Sequence, residues 1–315
     1  MIISTLALEE KYQQQLQEKF PDLCVQHASL DTLDISVLAE TEILFTYGND
    51  IPPERLAQMP NLKWIHIGQS GMDAIPMQIL RERKIALTNS RGINSITIAE
   101  YVMCMLLNLV RNNYVFYEKA KLGIWDMETH LDELAEKTIG ILGLGMVGKE
   151  IACRAAAFNM HVLGMNVIQT EIDGVEKIYL PQQRCELFAQ CDYIVICMPL
   201  TSDTRGMLAA PEFKVMKPTA WLVNVGRGAI IDESCLVKAL QTKQIAGAIL
   251  DVFETEPLPA ENALWKQPNV MITPHIAGDR QASYMPKMMR ILCDNLYAYP
   301  AFNQMKNHVN LEQGF

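Results

Sequence analysis

The chain has 315 residues, half of them hydrophobic and a fifth charged, with a formal net charge of −9. That composition excludes an intrinsically disordered chain and leaves room for one large domain or two medium ones with a sizeable core. The negative balance argues against non-specific nucleic-acid binding and against docking on anionic membranes, although a local cationic site can still hold an anionic substrate.

The first eight residues are apolar, lack a basic flank and meet Glu9, Glu10 and Lys11 at once, so they read as a strand rather than a signal peptide. Strands are predicted at 2–8, 43–46, 62–67, 85–88, 138–142, 161–165, 193–197, 221–225, 246–251 and 270–272, with helical patterns between many of them. Alternation of this kind implies parallel sheets with helices on both faces, an α/β fold. One long helix is predicted over 99–121; it is apolar on nearly all sides and so belongs between domains or between subunits. Its apolar run, 101–110, is interrupted by Asn108 and is too short to span a bilayer. A charged connector covers 129–137, and a last helix is predicted over 282–297 with Pro286 in its first turn. The tail, 299–315, shows no clear element. The eight cysteines form no C-x-x-C pair. Cys185, Cys191 and Cys197 are evenly spaced, but Cys197 closes an apolar strand-like run and reads as a small hydrophobe, so no metal site is expected. Scattered unpaired cysteines suit a reducing compartment, and a soluble cytoplasmic protein is the expectation.

Residues 138–148 read Thr-Ile-Gly-Ile-Leu-Gly-Leu-Gly-Met-Val-Gly, placing Gly143, Gly145 and Gly148 in a G-x-G-x-x-G between a predicted strand and a helix predicted over 149–158. The first glycine permits the tight turn, the second lets a pyrophosphate approach, and the third allows close helix–strand packing. Free N–H groups at the helix start then hold the phosphates. The acid expected at the end of the following strand is replaced by Asn166. Residues 167–176 contain no Arg or Lys for a 2′-phosphate but do contain Glu171, Asp173 and Glu176, which favours NAD without excluding NADP.

Three ionisable residues, Arg227, Glu256 and His275, each follow a predicted strand in the second half. Ligands of open α/β sheets bind beyond the carboxyl ends of the strands, so the three should converge on one crevice. Singly each has a bland reading as a salt-bridged, loop-surface or structural residue. Together they supply an Arg fork for a carboxylate, a proton donor that titrates near neutrality, and a carboxylate that stabilises the imidazolium.

The segments 142–148, 224–232 (Asn-Val-Gly-Arg-Gly-Ala-Ile-Ile-Asp), 251–259 (Asp-Val-Phe-Glu-Thr-Glu-Pro-Leu-Pro) and 273–278 (Thr-Pro-His-Ile-Ala-Gly) resemble, in order and spacing, the D-2-hydroxyacid dehydrogenase family, phosphoglycerate dehydrogenase-like members included. The resemblance extends over nearly the whole chain, including Ser70-Gly71-Met72-Asp73 and 89–100. It implies two doubly wound parallel-sheet domains. A flavodoxin-like substrate domain would comprise 1–96 plus 283–315, and a Rossmann NAD(P)-binding domain 97–282. It implies hydride transfer between a nicotinamide cofactor and a small 2-oxo acid or D-2-hydroxy acid, in a homodimer that buries the long helix between subunits. By the same resemblance Arg227 binds the substrate carboxylate, His275 is the general acid or base, and Glu256 is its partner. The backbone N–H groups of Ser70 and Gly71 complete the carboxylate site, and Tyr47, Gln69, Tyr284 and Met285 lie near the substrate side chain. Met146 and Val147 cover the pyrophosphate, Asn166 takes the ribose, Met198, Pro199 and Thr204 the adenine side, and Val225, Gly226 and Asp251 the nicotinamide end. Related folds also serve as nicotinamide-sensing corepressors without turnover, which is the alternative. A formate enzyme would carry Gln where this chain has Glu256, so a hydroxy acid is favoured.

Overall fold

The alternating pattern becomes two all-parallel sheets in a computed structural model that describes residues 1–72, 74–278 and 283–312. Each sheet belongs to one of two units, Met1–Ile93 with Ala282–Phe315, and Asn94–Gln281. Asp73 of the Ser70–Asp73 motif, the crossing expected at 282 and the last three residues of the tail lie outside the described residues.

The first unit runs β1 (Ile2–Ser4), α1 (Glu10–Lys19), β2 (Val25–His27), α2 (Ile35–Ala39), β3 (Ile43–Thr46), α3 (Pro53–Ala57), β4 (Trp64–Ile67), α4 (Met77–Arg83) and β5 (Ala86–Asn89). Its strand order, β2-β1-β3-β4-β5, is the flavodoxin order. Strands β1, β3 and β4 are buried at every residue, which is why they read as continuous apolar runs. Strand β2 was not expected: its Val25-Gln26-His27 is short, polar and only half-buried, as an edge position allows.

The second unit runs α5 (Ser95–Val110), α6 (Asn113–Lys121), β6 (Thr138–Leu142), α7 (Met146–Ala157), β7 (His161–Met165), β8 (Lys177–Tyr179), α8 (Arg184–Phe188), β9 (Tyr193–Ile196), α9 (Ala210–Val215), β10 (Trp221–Asn224), α10 (Glu233–Gln241), β11 (Gly247–Leu250) and β12 (Val270–Ile272). The chain then enters α11 (Tyr284–Ala298), with Pro286 in its first turn as expected, and packs it in the first unit through Met288, Met289, Leu292 and Leu296. Strand order β12-β11-β10-β9-β6-β7-β8 places the reversal of direction between β6 and β9, where dinucleotides bind in such sheets. Strand β8 is again an unexpected three-residue edge strand.

Two helices differ from expectation. The helix expected over 99–121 is two helices, because Asn112 turns into the left-handed region at φ 49°. Helix α5 also spends one face inside its own unit, where Ala99, Val102, Met103 and Leu106 pack with Ile151, Ala152 and Ala155 of α7. Helix α7 begins at Met146, three residues before the predicted start at 149, so its first free amides fall on the glycine turn itself.

A buried polar chain crosses β4 and β5. Trp64 Nε1 donates to Thr88 Oγ1 at 2.8 Å, and Thr88 Oγ1 lies 2.8 Å from His66 Nδ1. Ser90 Oγ lies 3.3 Å from His66 Nε2 and donates to the Ile67 carbonyl at 3.1 Å. Since the Ser90 hydrogen is used on Ile67, Ser90 accepts from Nε2–H, and Nδ1 accepts from Thr88. Every hydroxyl therefore points one way and the imidazole is neutral. Full burial pushes the His66 pKa down from 6.5 to about 3. The unfolded chain takes up a proton below pH 6.5 that the folded chain refuses until near pH 3, so stability should fall through that window by about 1.4 kcal/mol per pH unit. Denaturant midpoints of the wild type and of His66→Gln between pH 7 and 4.5 check this. The wild type should show the steeper loss, and equal slopes would sink the assignment.

Candidate active site

Six successive strands of the second sheet, β7 to β12 across it, end in register: Met165 beside Leu142, Leu142 beside Ile196, Ile196 beside Asn224, Asn224 beside Leu250, and Leu250 beside Ile272. The segments that follow them, carrying Gly143, Met198, Arg227, Glu256 and His275, therefore leave one edge of the sheet.

Gly143 takes φ +97°, which an L side chain rarely adopts, and a Cβ there would lie 2.9 Å from Met198 Cα. At Gly148 a Cβ would lie 2.0 Å from the Gly143 carbonyl oxygen, so helix α7 can start this close to the turn only without a side chain. Gly145, the N-cap of α7, is the opposite case: it has no side-chain cap and a Cβ would meet nothing within 4 Å. Uncapped amides facing open space at a helix N-terminus make a cradle suited to a pyrophosphate. The donor set thus fits a dinucleotide. Half-exposed Met146 and Val147 open the helix above it. Cys197, expected only to pack, donates its thiol to the Gly143 carbonyl at 3.0 Å and props the turn from below. Asn166 follows β7, and its side-chain amide donates to the Ile168 carbonyl at 3.3 Å. Met198 is buried and Pro199 exposed, while the Thr204 hydroxyl donates to the Pro199 carbonyl at 2.8 Å and accepts from Thr201 N–H at 2.7 Å, closing that loop on itself.

On the other side of the switch point, buried Asn224 shapes the turn into Arg227. Its Oδ1 accepts from Gly226 N–H at 3.0 Å and its Nδ2 donates to the Arg227 carbonyl at 3.0 Å. Arg227 Nη1 donates to the Gly226 carbonyl at 2.9 Å. The next residue, Gly228, would put a Cβ 1.8 Å from the Phe253 carbonyl carbon, so absence of a side chain lets the Arg227 turn lie directly against the segment that carries Glu256. Glu256 is held at both oxygens: Oε1 accepts from Phe253 N–H at 2.9 Å and Oε2 lies 2.7 Å from His275 Nδ1. His275 is half-exposed and has φ 54°, uncommon for a residue with a side chain. Its backbone N–H donates to the Asp251 carbonyl at 2.8 Å. Both carboxylate oxygens of buried Asp251 are engaged by the same loop, Oδ1 by Thr273 Oγ1 at 2.5 Å and Ile276 N–H at 2.9 Å, Oδ2 by Ala277 N–H at 2.9 Å. Asn224, Thr273 and the clamping use of Asp251 escaped sequence reasoning, although all three stand inside the quoted motifs.

In the first unit, Ser70 and Gly71 follow β4. The Ser70 carbonyl accepts from Asn89 Nδ2 at 3.2 Å, Gln69 Nε2 donates to the Tyr47 carbonyl at 2.7 Å, and Tyr284 Oη donates to the Gly68 carbonyl at 2.7 Å. Tyr47, Gln69 and Tyr284 are thus gathered around the end of one strand, and Met285 packs in the neighbouring core cluster. Among the described residues no group of His, Cys, Asp or Glu could hold a metal ion, and no helix is long and apolar enough to cross a membrane.

Comparison with known proteins agrees with this geometry. Residues 103–277 match the profile of the D-isomer specific 2-hydroxyacid dehydrogenase NAD-binding domain. Glyoxylate/hydroxypyruvate reductase B of Shigella boydii serotype 4 (strain Sb227) is 32% identical over 287 residues, 88% of each chain. Among solved structures, a D-isomer specific 2-hydroxyacid dehydrogenase family protein from Aeromonas salmonicida subsp. salmonicida A449 has 31% identity and a TM-score of 0.86, covering 98% of both chains. A D-isomer specific 2-hydroxyacid dehydrogenase from Xanthobacter autotrophicus Py2, in complex with NADPH and MES, has 26% identity and a TM-score of 0.84, covering 100% of this chain and 99% of that one. The chain belongs to the D-isomer specific 2-hydroxyacid dehydrogenase family. It is an NAD(P)-dependent oxidoreductase that interconverts small 2-oxo acids and D-2-hydroxy acids.

Gly145→Ala separates the cradle from the fold. Because the added methyl meets no protein atom, the thermal midpoint should stay within a degree or so of wild type, while a pyrophosphate pressed against that backbone is pushed away and dinucleotide affinity drops about ten-fold. Calorimetric titration with NADH and NADPH checks it, and unchanged affinity would place the pyrophosphate elsewhere.

Proposed function

We propose that this enzyme reduces a 2-oxo acid of the glyoxylate and hydroxypyruvate type in the cytoplasm, using Arg227, Glu256 and His275 as its reacting set. The observation that carries the reading is the 2.7 Å pair between His275 Nδ1 and Glu256 Oε2, formed by segments leaving adjacent strands next to the Arg227 turn. The 32% identity to glyoxylate/hydroxypyruvate reductase B of Shigella boydii supports the substrate type. The held His275–Glu256 pair supports chemistry over the corepressor-like sensing alternative.

Gly143, Gly145, Met146, Val147 and Gly148 at the α7 N-terminus, with Asn166, Met198, Pro199, Thr204, Val225, Gly226 and Asp251, would hold NADH or NADPH, which would supply the hydride. Arg227 binds the substrate carboxylate with a planar fork and faces the oxygen on which charge develops. Since Glu256 engages Nδ1, the transferable proton of His275 sits on Nε2, and it passes to the carbonyl oxygen in reduction and returns in oxidation. We assign further carboxylate donors to the Ser70 and Gly71 backbone N–H groups, the substrate role to 1–96 with 283–315, and the cofactor role to 97–282.

We also propose a homodimer. Tyr114, Tyr117, Leu122, Trp125 and Met127 are all more than 60% exposed along α6 and the loop after it. Asp126 orders that loop by accepting from Glu128 N–H at 2.8 Å and pairing with Lys119 and Thr129. A preformed apolar surface of this extent calls for a partner, and a second copy supplies one.

Reductive turnover with glyoxylate, hydroxypyruvate, pyruvate and aromatic 2-oxo acids, followed by loss of reduced-nicotinamide absorbance, tests the substrate. His275→Gln should lower kcat by about a thousand-fold with cofactor affinity retained, and Arg227→Lys should raise KM for the acid by about ten-fold or more, because Lys offers a point charge in place of a fork. Full activity in His275→Gln would end the proton-donor assignment. Sedimentation velocity checks the dimer, with Trp125→Asp expected to sediment as a monomer.

A further inference from the structure

We propose that Tyr101, on α5, is a positioning residue for His275, acting through Thr273 and Asp251. This rests on the reading of His275 as the proton donor.

Tyr101 Oη lies 2.6 Å from Thr273 Oγ1, across 172 residues of sequence. Thr273 has one hydroxyl hydrogen, and it goes to Asp251 Oδ1 at 2.5 Å. Tyr101 must therefore be the donor to Thr273, which fixes the sense of the chain as Tyr101 to Thr273 to Asp251. Burial pushes the Tyr101 phenol up to about 12, so the donating hydrogen stays in place across the working range of pH. Asp251 in turn accepts from Ile276 and Ala277 N–H with its carboxylate and from His275 N–H with its carbonyl. His275 is thus bracketed by bonds that converge on a single residue, and it is the residue of this loop that holds φ 54°. A left-handed backbone at a side-chain-bearing position persists only where the surroundings over-determine it. The far end of the clamp is a helix: α5 is packed on α7 through its buried face, so Tyr101 carries rigidity from the helical layer into a loop that β12 alone would leave loosely held. The Glu256 pair orients the ring, and the Tyr101 chain orients the backbone that carries the ring.

Tyr101→Phe keeps the aromatic body in the core and removes only the hydroxyl. It should lower kcat about ten-fold, as expected for a slightly misplaced reacting group, with KM for the cofactor and the thermal midpoint unchanged. Thr273→Val should lose kcat to a similar degree, with a lower thermal midpoint because the buried Asp251 carboxylate and the Tyr101 hydroxyl each lose a partner, and Thr273→Ser, which keeps the hydroxyl, should retain activity. In a His275→Gln background Tyr101→Phe should cost nothing further, since its effect runs through the imidazole. Without cofactor, the ring ¹⁵N resonances of His275 should shift or broaden in Tyr101→Phe. Additive losses in the double variant, an unaltered His275 spectrum, or a Thr273→Ser as impaired as Thr273→Val would each overturn the proposal. Failure of the underlying reading looks different: His275→Gln itself would keep its turnover. Should Tyr101→Phe fold poorly, the Thr273 pair carries the same test.

Discussion

Asp251 ties the end of one strand to the loop after the next, and the geometry of the site depends on that tie. A buried carboxylate that accepts three hydrogen bonds is a strong and directional anchor, since each bond is charge-assisted and sheltered from water. It replaces the helix cap or tight turn that would otherwise stabilise a short loop. With the loop fixed, His275 needs only one further contact, to Glu256, and Glu256 is itself fixed by the Phe253 backbone amide, in the segment that lies against the Arg227 turn. The reacting side chains are half-exposed, as groups that meet a substrate must be, while the residues that aim them are buried. Precision at the surface is supplied from beneath.

Sterics does at the glycines what hydrogen bonds do at Asp251. Gly148 and Gly228 each remove a side chain where two backbones come closer than any Cβ tolerates, and Gly143 adds a conformation closed to most residues. Gly145 belongs to a different kind: nothing in the protein forbids a methyl there, so the reason for glycine lies in what binds. Four glycines in similar-looking motifs thus answer to two constraints, one internal to the fold and one external to it.

Most of the architecture was legible because the inner strands are buried on both faces and so appear as uninterrupted apolar runs. Strands β3, β6, β7 and β12 begin and end where their sequences change character. Strands β2 and β8 were not legible: at three residues each, with Gln26 and Lys177 among them, they are strands only because a neighbour offers its free edge. The break between α5 and α6 was hidden for a related reason, since Asn112 tolerates both helix and the left-handed turn and only the surrounding chain decides. At the site, Arg227, Glu256 and His275 were visible from their places after strands. Tyr101 was not, because a tyrosine in an apolar helix gives no sign of a threonine 172 residues away.

The outermost strands have a consequence for behaviour at high concentration. A sheet edge is an unfinished ladder that a second chain can extend. Here β2, β8 and β12 are only three residues long, too short to template much. Strand β5 is longer, and the chain's own tail closes it: Thr88 bridges antiparallel to His308, Val309 N–H donates to the Leu87 carbonyl at 2.9 Å, and Asn307 Nδ2 donates to the Asn89 carbonyl at 3.0 Å. Residues 307–309 thus occupy the edge of β5 that another chain would otherwise be free to extend.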